Sequence, residues 1–405
     1  MNQPDAMKIL SDLVKIRSVN DNELEVAQYL KNLFDQAGIE SKILPLGGNR
    51  ANLVATLGQG EPVLGVAGHM DVVDVEAQNW DSDPFEVVQK GDNLYGRGVA
   101  DMKDGLAAIT IALITLKQNK VPLKGTLKFL ATAGEEVGQI GSEQLTADGY
   151  MKDVSAMLVG EPTGYRIICA NKGQLNLTVT SKGKAAHSSM PKLGNNAVEH
   201  LLQALQLMRT TFDKLSTGVT NTVMGETLYN VDVINGGNQV NAIPGLATAQ
   251  INLRTIPELP NAKIVAALQT ALADYNQSSN GQVELTVDMD VISTEGNQDS
   301  KLIKLIQAVG QPYMAHQNLS PEEMKRDAAL LKMIDMPFSA TEILTMSASG
   351  GTDASQYLVD QPVGFDYAVF GPGNDTQHQD NEYTSQQMYF DFIEIYQELF
   401  KQYLA

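Results

Sequence analysis

The sequence predicts an α/β layer domain that carries an inserted α+β domain. Three observations predict it. Short apolar runs alternate with helical stretches over residues 52–160, half-exposed alternating strands take over between 174 and 292, and the chain then returns to helix and one further apolar run. Strands covered on both faces read as unbroken apolar runs, whereas strands with one wet face alternate, so the change of pattern marks a change of domain. At 405 residues the chain also exceeds what a single ordinary core organises, and two domains are expected.

The elements follow in order. Residues 4–17 and 22–37 carry apolar side chains at helical spacing, with Asn20 or Asp21 placed to cap the second helix. Strands are expected at NLVATL (52–57), VLGVAG (63–68), TLKFLATA (126–133) and SAMLVG (155–160), with a helix over about 103–117. Buried strands alternating with helices make an α/β layer. From Gln174 the pattern is LNLTVTSKG, the amphipathic NAVEHLLQALQLM, ETLYNVDVING, ATAQINLRT, the helical NAKIVAALQTALADY and QVELTVDMDV. That order, β-α-β-β-α-β, is a ferredoxin-like split unit. SKLIKLIQAV (300–309), FDYAVFG (365–371) and a closing helix near 385–403 complete the chain. The expected division is therefore 1–173 with 293–405 as one domain and 174–292 as the insert.

Charge and composition exclude several functions. Twenty-nine basic residues against 48 acidic ones give a net charge of −19, which repels nucleic acid and anionic lipid, so neither is an expected partner. The N-terminus lacks a cationic segment followed by an apolar one. The longest uncharged apolar run, 105–116, falls short of the roughly 20 residues that span a bilayer, so no membrane association and a cytoplasmic location are expected. The single cysteine, Cys169, lies in the apolar stretch RIICA, reads as a small core residue, and suits a reducing compartment.

In open α/β sheets ligands bind beyond the carboxyl ends of the strands. VLGVAG leads into His69 and Asp71, TLKFLATAG into Glu135 and Glu136, SAMLVG into Glu161, and FDYAVFGPGNDTQ into His378, while Asp101 follows the turn GRGVAD and opens a helix. Singly, each has a structural reading: a carboxylate at a helix start caps orphan N–H groups or meets the helix dipole. Jointly they bring two histidines and several carboxylates to one sheet edge, where they repel unless a cation lies between them. Imidazole with carboxylate suits Zn²⁺, and also Co²⁺ or Mn²⁺. Two histidines and three carboxylates are too many for one open zinc, so two metals sharing a carboxylate, roughly 3.5–4 Å apart, are expected. No G-x-S-x-G elbow is present, and neither GRGVAD nor GKAAHSS completes a nucleotide-binding glycine motif.

GHMDVV, GRGVADMKDG, AGEEVGQIGS, GEPTG, GKAAHSSMP, NAIPG followed by NLR, GGTDA and GPG....H...E occur in that order over nearly the whole chain. The set resembles the M20 metallopeptidase family of N-deacylases, carboxypeptidases and dipeptidases. The resemblance implies a di-zinc domain with an inserted lid that often makes a homodimer. Asp101 would bridge the metals, with His69 and Glu161 completing one site and Glu136 and His378 the other. Glu135 and Glu136, adjacent on what reads as an extended segment, would point in different directions, so that Glu135 would be the general base beside its ligand neighbour; Asp71 would orient the His69 imidazole, and His187 would stabilise the oxyanion. Arg254 and Asn241 match family positions that hold substrate, and Thr352 and Gly373 would line the same pocket. His200 and His316 match no motif and are expected to be structural. Two departures, Gly134 where many members carry an acid and Asp104 where many carry glycine, bear on substrate preference. The implied substrate is a small N-acyl amino acid, N-succinyl-diaminopimelate ahead of N-acetylornithine, other N-acyl amino acids or dipeptides. A non-catalytic metal-binding protein on the same fold would have no need of Glu135.

Overall fold

The apolar runs assemble one large sheet. In the computed structural model, which describes residues 1–317, 321–333, 337–362 and 364–405, seven of its strands lie in the order Glu40–Gly47, Arg50–Gly58, Thr126–Thr132, Val63–His69, Ala156–Pro162, Tyr367–Gly371 and Ile167–Asn171. Thr126–Thr132, Val63–His69, Ala156–Pro162 and Tyr367–Gly371 run parallel, so their carboxyl ends share one edge. Every residue of Val63–His69 and Thr126–Thr132 is buried, as their unbroken apolar runs require.

The helix Lys103–Gln118 is buried all round from Lys103 to Leu116, which explains a sequence apolar on every face. It approaches the sheet closely: a Cβ on Gly105 would lie 2.1 Å from the carbonyl oxygen of Gly160. Its first residue reaches the other way. Lys103 Nζ is buried and donates to the carbonyls of Leu13 (2.9 Å) and Ile16 (2.8 Å), closing the C-terminus of the helix Gln3–Lys15. Burial pushes this ammonium down to about 7. Ser18 Oγ donates to Met70 O at 2.7 Å and Val72 N to Ser18 O at 3.0 Å, so the segment after the first helix is stitched to the residues that follow His69.

The expected cap of the second helix is not realised. The helix begins at Leu24 with Glu23 in the capping position and no side-chain cap. Asp21, at φ 71°, pairs instead with Arg50, whose guanidinium also binds the buried Glu23 through Nε (3.2 Å) and Nη2 (2.9 Å). A fixed cation competes successfully with the orphan N–H groups for these carboxylates.

A second compact unit comprises residues 170–294 together with 347–351. Its four strands lie in the order Leu228–Gly236, Leu246–Thr255, Gly173–Lys182 and Gln282–Val291, all antiparallel. Gly173–Lys182 buries alternate residues, among them Leu175, Leu177 and Val179, and packs against the helix Ala197–Ser216, while Asn261–Ser278 packs on Gln282–Val291. Leu228–Gly236 departs from the expected alternation: only Tyr229 is buried, because the strand forms an edge of this sheet. Among the described residues no helix is long and apolar enough to cross a membrane.

Candidate metal centre

His69 is the last residue of its strand, and Glu161 lies near the end of the strand Ala156–Pro162. Asp101 precedes the buried helix without being part of it: the helix starts at Lys103, and the Asp101–Met102 peptide is cis. The expectation that Asp101 opens the helix is therefore corrected, and its carboxylate turns to the histidines. His69 Nε2 lies 2.9 Å from Asp101 Oδ1 and 3.6 Å from Glu161 Oε1. His378 Nε2 lies 2.9 Å from Glu136 Oε1 and 3.4 Å from Asp101 Oδ2.

Two ligand groups result, His69–Asp101–Glu161 and Asp101–Glu136–His378, each with its donor atoms all within 4.8 Å of one another. Asp101 belongs to both. One imidazole nitrogen with two carboxylates per group is the donor chemistry of borderline transition-metal ions, and the shared carboxylate is what a metal pair requires.

Glu135 and Glu136 lie on a turn, not on an extended segment: the strand ends at Thr132, and the turn closes through Gln139 N to Gly134 O at 2.7 Å. Asp71 organises this turn. Its Oδ1 accepts from Gly134 N (2.9 Å) and Glu135 N (3.2 Å), and its Oδ2 from Glu136 N (3.2 Å). The nearest partner of His69 Nδ1 is the Asp71 backbone carbonyl at 2.9 Å, with the carboxylate at 3.6 Å. Asp71 thus holds the imidazole mainly through its main chain and the two glutamates through its side chain.

Burial, with the crowding of like charges behind it, governs the electrostatics. Burial, and then the charge of Glu161, push Glu135 well above the usual carboxylate range, and burial pushes Glu161 up to about 8. Burial disfavours the charged His69 ring, but the Glu161 charge and the hydrogen bonds to Asp101, Asp71 and Glu161 outweigh it and raise the pKa. Hydrogen bonds to Asp101 and Glu136 raise His378 to about 10. Both shifts favour the protonated imidazoles in the metal-free protein. Ligation needs them neutral, so metal affinity is expected to rise with pH until about 10. Calorimetric Zn²⁺ titrations at pH 7.5 in buffers of different ionisation enthalpy should show release of at least about two protons per chain. A release near zero would contradict the ligand assignment.

Two buried carboxylates near these groups received no role from the sequence. Glu382, within the quoted GPG....H...E spacing, is fully buried; its Oε1 accepts from Ala100 N (2.8 Å) and Asp101 N (3.0 Å), its Oε2 from Arg97 Nη1 (2.6 Å) and Gly98 N (3.0 Å). Asp353, beside Thr352 in GGTDA, accepts from Thr132 Oγ1 and Ser142 Oγ, and burial pushes it up to about 6. Thr352 itself accepts from Ala354 N at 3.2 Å, a local turn contact. Gly373 is buried at φ 101°, where a Cβ would meet Pro162 Cβ at 2.7 Å and Ala100 O at 2.8 Å, so packing alone accounts for glycine there.

The two departures face the protein's own side chains. A Cβ on Gly134 would lie 2.1 Å from Arg50 Nη2. Asp104 is buried, accepts from Gly105 N and Thr384 Oγ1 at 2.7 Å each, and is pushed well up by burial. His316 bonds the buried Asp391 through Nδ1 at 2.8 Å.

His187, Asn241 and Arg254 belong to the second unit. His187 lies on the short strand Ala186–His187, opposite Ala242, and is exposed with Nδ1 2.7 Å from Ser189 Oγ. The exposed Asn241 accepts from Ser188 N through its carbonyl at 3.1 Å. Arg254 donates through Nη1 to Ser349 O at 3.2 Å, and to Gln174 at 2.9 Å with that amide turned oxygen-inward. His200 is buried between Tyr275 OH (2.6 Å) and Asn195 Oδ1 (2.7 Å), a structural role as expected.

A family model described as Peptidase family M20/M25/M40 matches residues 65–402. A protein of Staphylococcus epidermidis named probable succinyl-diaminopimelate desuccinylase is 36% identical over 433 aligned positions, covering 100% of this chain and 99% of its own. Among solved structures, an M20 family metallo-carboxypeptidase of Sulfolobus solfataricus superposes with a TM-score of 0.76 at 18% identity, covering 100% of this chain and 99% of that one. A Bacillus subtilis protein described as a dinuclear metal binding peptidase from the M20 family superposes at 0.66 and 15% identity, covering 99% and 98%. The mixed α/β architecture is thus the M20 peptidase fold, and the chain belongs to the M20/M25/M40 peptidase family, as a hydrolase of amide bonds.

Proposed function

We propose that this chain is a two-metal N-deacylase that removes the succinyl group from N-succinyl-diaminopimelate. The observation that carries the chemistry is Asp101, common to two ligand groups, with Glu135 on the turn beside Glu136. The substrate rests on the full-length relative of Staphylococcus epidermidis that bears this activity in its name. The ions assigned are Zn²⁺, with Co²⁺ or Mn²⁺ as alternatives, bound by His69, Asp101 and Glu161 on one side and Asp101, Glu136 and His378 on the other. When bound, such a pair polarises the amide carbonyl and lowers the pKa of the attacking water.

The chain's own residues do the rest. Glu135 takes the proton of that water and returns it to the departing amine, a double duty for which burial, by raising its pKa, makes it a better base. Asp71 keeps Glu135 and its neighbour in register by holding their backbone N–H groups. His187 is assigned, by its motif, to the oxyanion, and Arg254 with Asn241 to a substrate carboxylate, for which a guanidinium is the fitting donor. The second unit is assigned as lid and as the face of a homodimer. The enzyme is assigned to the cytoplasm.

The reading is tested by following amine release from N-succinyl-diaminopimelate, N-acetylornithine and a panel of dipeptides, with the metal-stripped protein before and after addition of Zn²⁺ or Co²⁺. Metal-dependent turnover with the highest kcat/KM on the succinylated substrate is expected. A higher value on a dipeptide would remove the proposed substrate and leave a dipeptidase. Binding of metal with no cleavage of any substrate would sink the catalytic reading.

A further inference from the structure

We propose that Glu382 is a positioning residue of the metal centre: its carboxylate clamps the 97–101 turn so that Asp101 is presented to both ligand groups at once. The inference rests on the metal-centre reading above and deepens it.

An ionised carboxylate offers about four acceptor sites, and four donors converge on Glu382. Oε1 takes the consecutive N–H groups of Ala100 and Asp101, and Oε2 takes Gly98 N and the guanidinium of Arg97. Three of the four come from main chain within three residues of Asp101 Cα, so the carboxylate sets the direction in which that residue leaves the turn. Arg97, itself buried, neutralises the clamp and has its guanidinium carbon 5.3 Å from the centre of the Trp80 ring. A buried charge without such a partner would cost several kcal/mol, so the arrangement stands only as a complete set.

Glu382 also lies four residues beyond His378, on a loop anchored by Asn381 Oδ1, which accepts from Asp81 N at 2.9 Å. The same short loop therefore delivers one histidine ligand and fixes the backbone of the shared carboxylate. Asp101 and His378 are 277 residues apart in the chain, and this clamp holds their two loops in common register.

The variant Glu382→Gln keeps the shape but replaces one acceptor oxygen by an NH₂ that faces two donors. Co²⁺ titration of the metal-stripped protein, followed by visible absorption, is expected to show binding weakened ten- to a hundred-fold. The amides of Gly98, Ala100 and Asp101 should exchange faster, and kcat should fall with KM changed less than about two-fold. Phe34→Leu, a core substitution against Phe129, serves as a control of comparable thermal destabilisation and should leave Co²⁺ affinity unchanged. Arg97→Lys keeps the charge but loses the planar fork, and should weaken Co²⁺ several-fold in a protein that still folds. Wild-type Co²⁺ affinity in both clamp variants, or equal weakening in Phe34→Leu, would overturn the proposal while leaving the metal centre intact. Failure of the wild-type protein to bind two ions would instead overturn the metal centre itself.

Discussion

Replacing Glu135 by glutamine should lower kcat by about 10²–10⁴-fold while metal content stays at the wild-type level. The amide has the same shape and keeps the backbone N–H bond to Asp71, so the turn is preserved. It cannot accept a proton, so the step that needs a base is lost. The outcome separates Glu135 from its neighbour. Glu136→Gln removes a donor from the group containing His378 and should reduce bound metal as well as rate. Metal analysis beside steady-state kinetics distinguishes the two, and loss of metal in Glu135→Gln would mean that the roles of the pair are reversed.

The second large effect is expected at Asp101. His378→Ala dismantles one ligand group and should leave about one ion per chain, because His69, Asp101 and Glu161 remain. Asp101→Ala takes a donor from both groups, leaving two donors in each, too few for a stable site. Metal content should fall below that of His378→Ala under the same dialysis. Activity should drop by about 10²–10⁴-fold, corresponding to the several kcal/mol that a metal pair supplies. Equal metal content in the two variants would show that Asp101 serves only one ion.

The main elements were legible because their burial is uniform. Strands covered on both faces leave continuous apolar runs, so 63–68 and 126–133 match the observed strands almost to the residue, and apolar–polar alternation does the same for 282–291. Glu40–Gly47 leaves no such signal because it pairs on one side only and buries only Leu44. The candidate ligand residues are legible because each follows a strand or turn recognisable by itself. Glu382 and Asp353 are not, since a buried acid is identified by the donors that surround it, and those donors come from distant stretches: Arg97 to Asp101 for one, Thr132 and Ser142 for the other. The turn at Glu135 escaped for a similar reason. Its closure depends on Gln139 adopting φ 60°, held by its side chain to Ser355 Oγ.

The strand Tyr367–Gly371 lies between Ala156–Pro162 and Ile167–Asn171, both of which precede it by about two hundred residues. During vectorial synthesis the ribosome therefore delivers Ala156–Pro162 with an open flank, along with His69, Asp101, Glu136 and Glu161, long before His378 and Glu382 emerge. The nascent chain can pair the early strands but can neither fill the gap nor complete the second ligand group. Sheet closure and completion of the second ligand group then coincide late, and a prematurely terminated product would expose an unpaired strand edge, open to pairing with another chain.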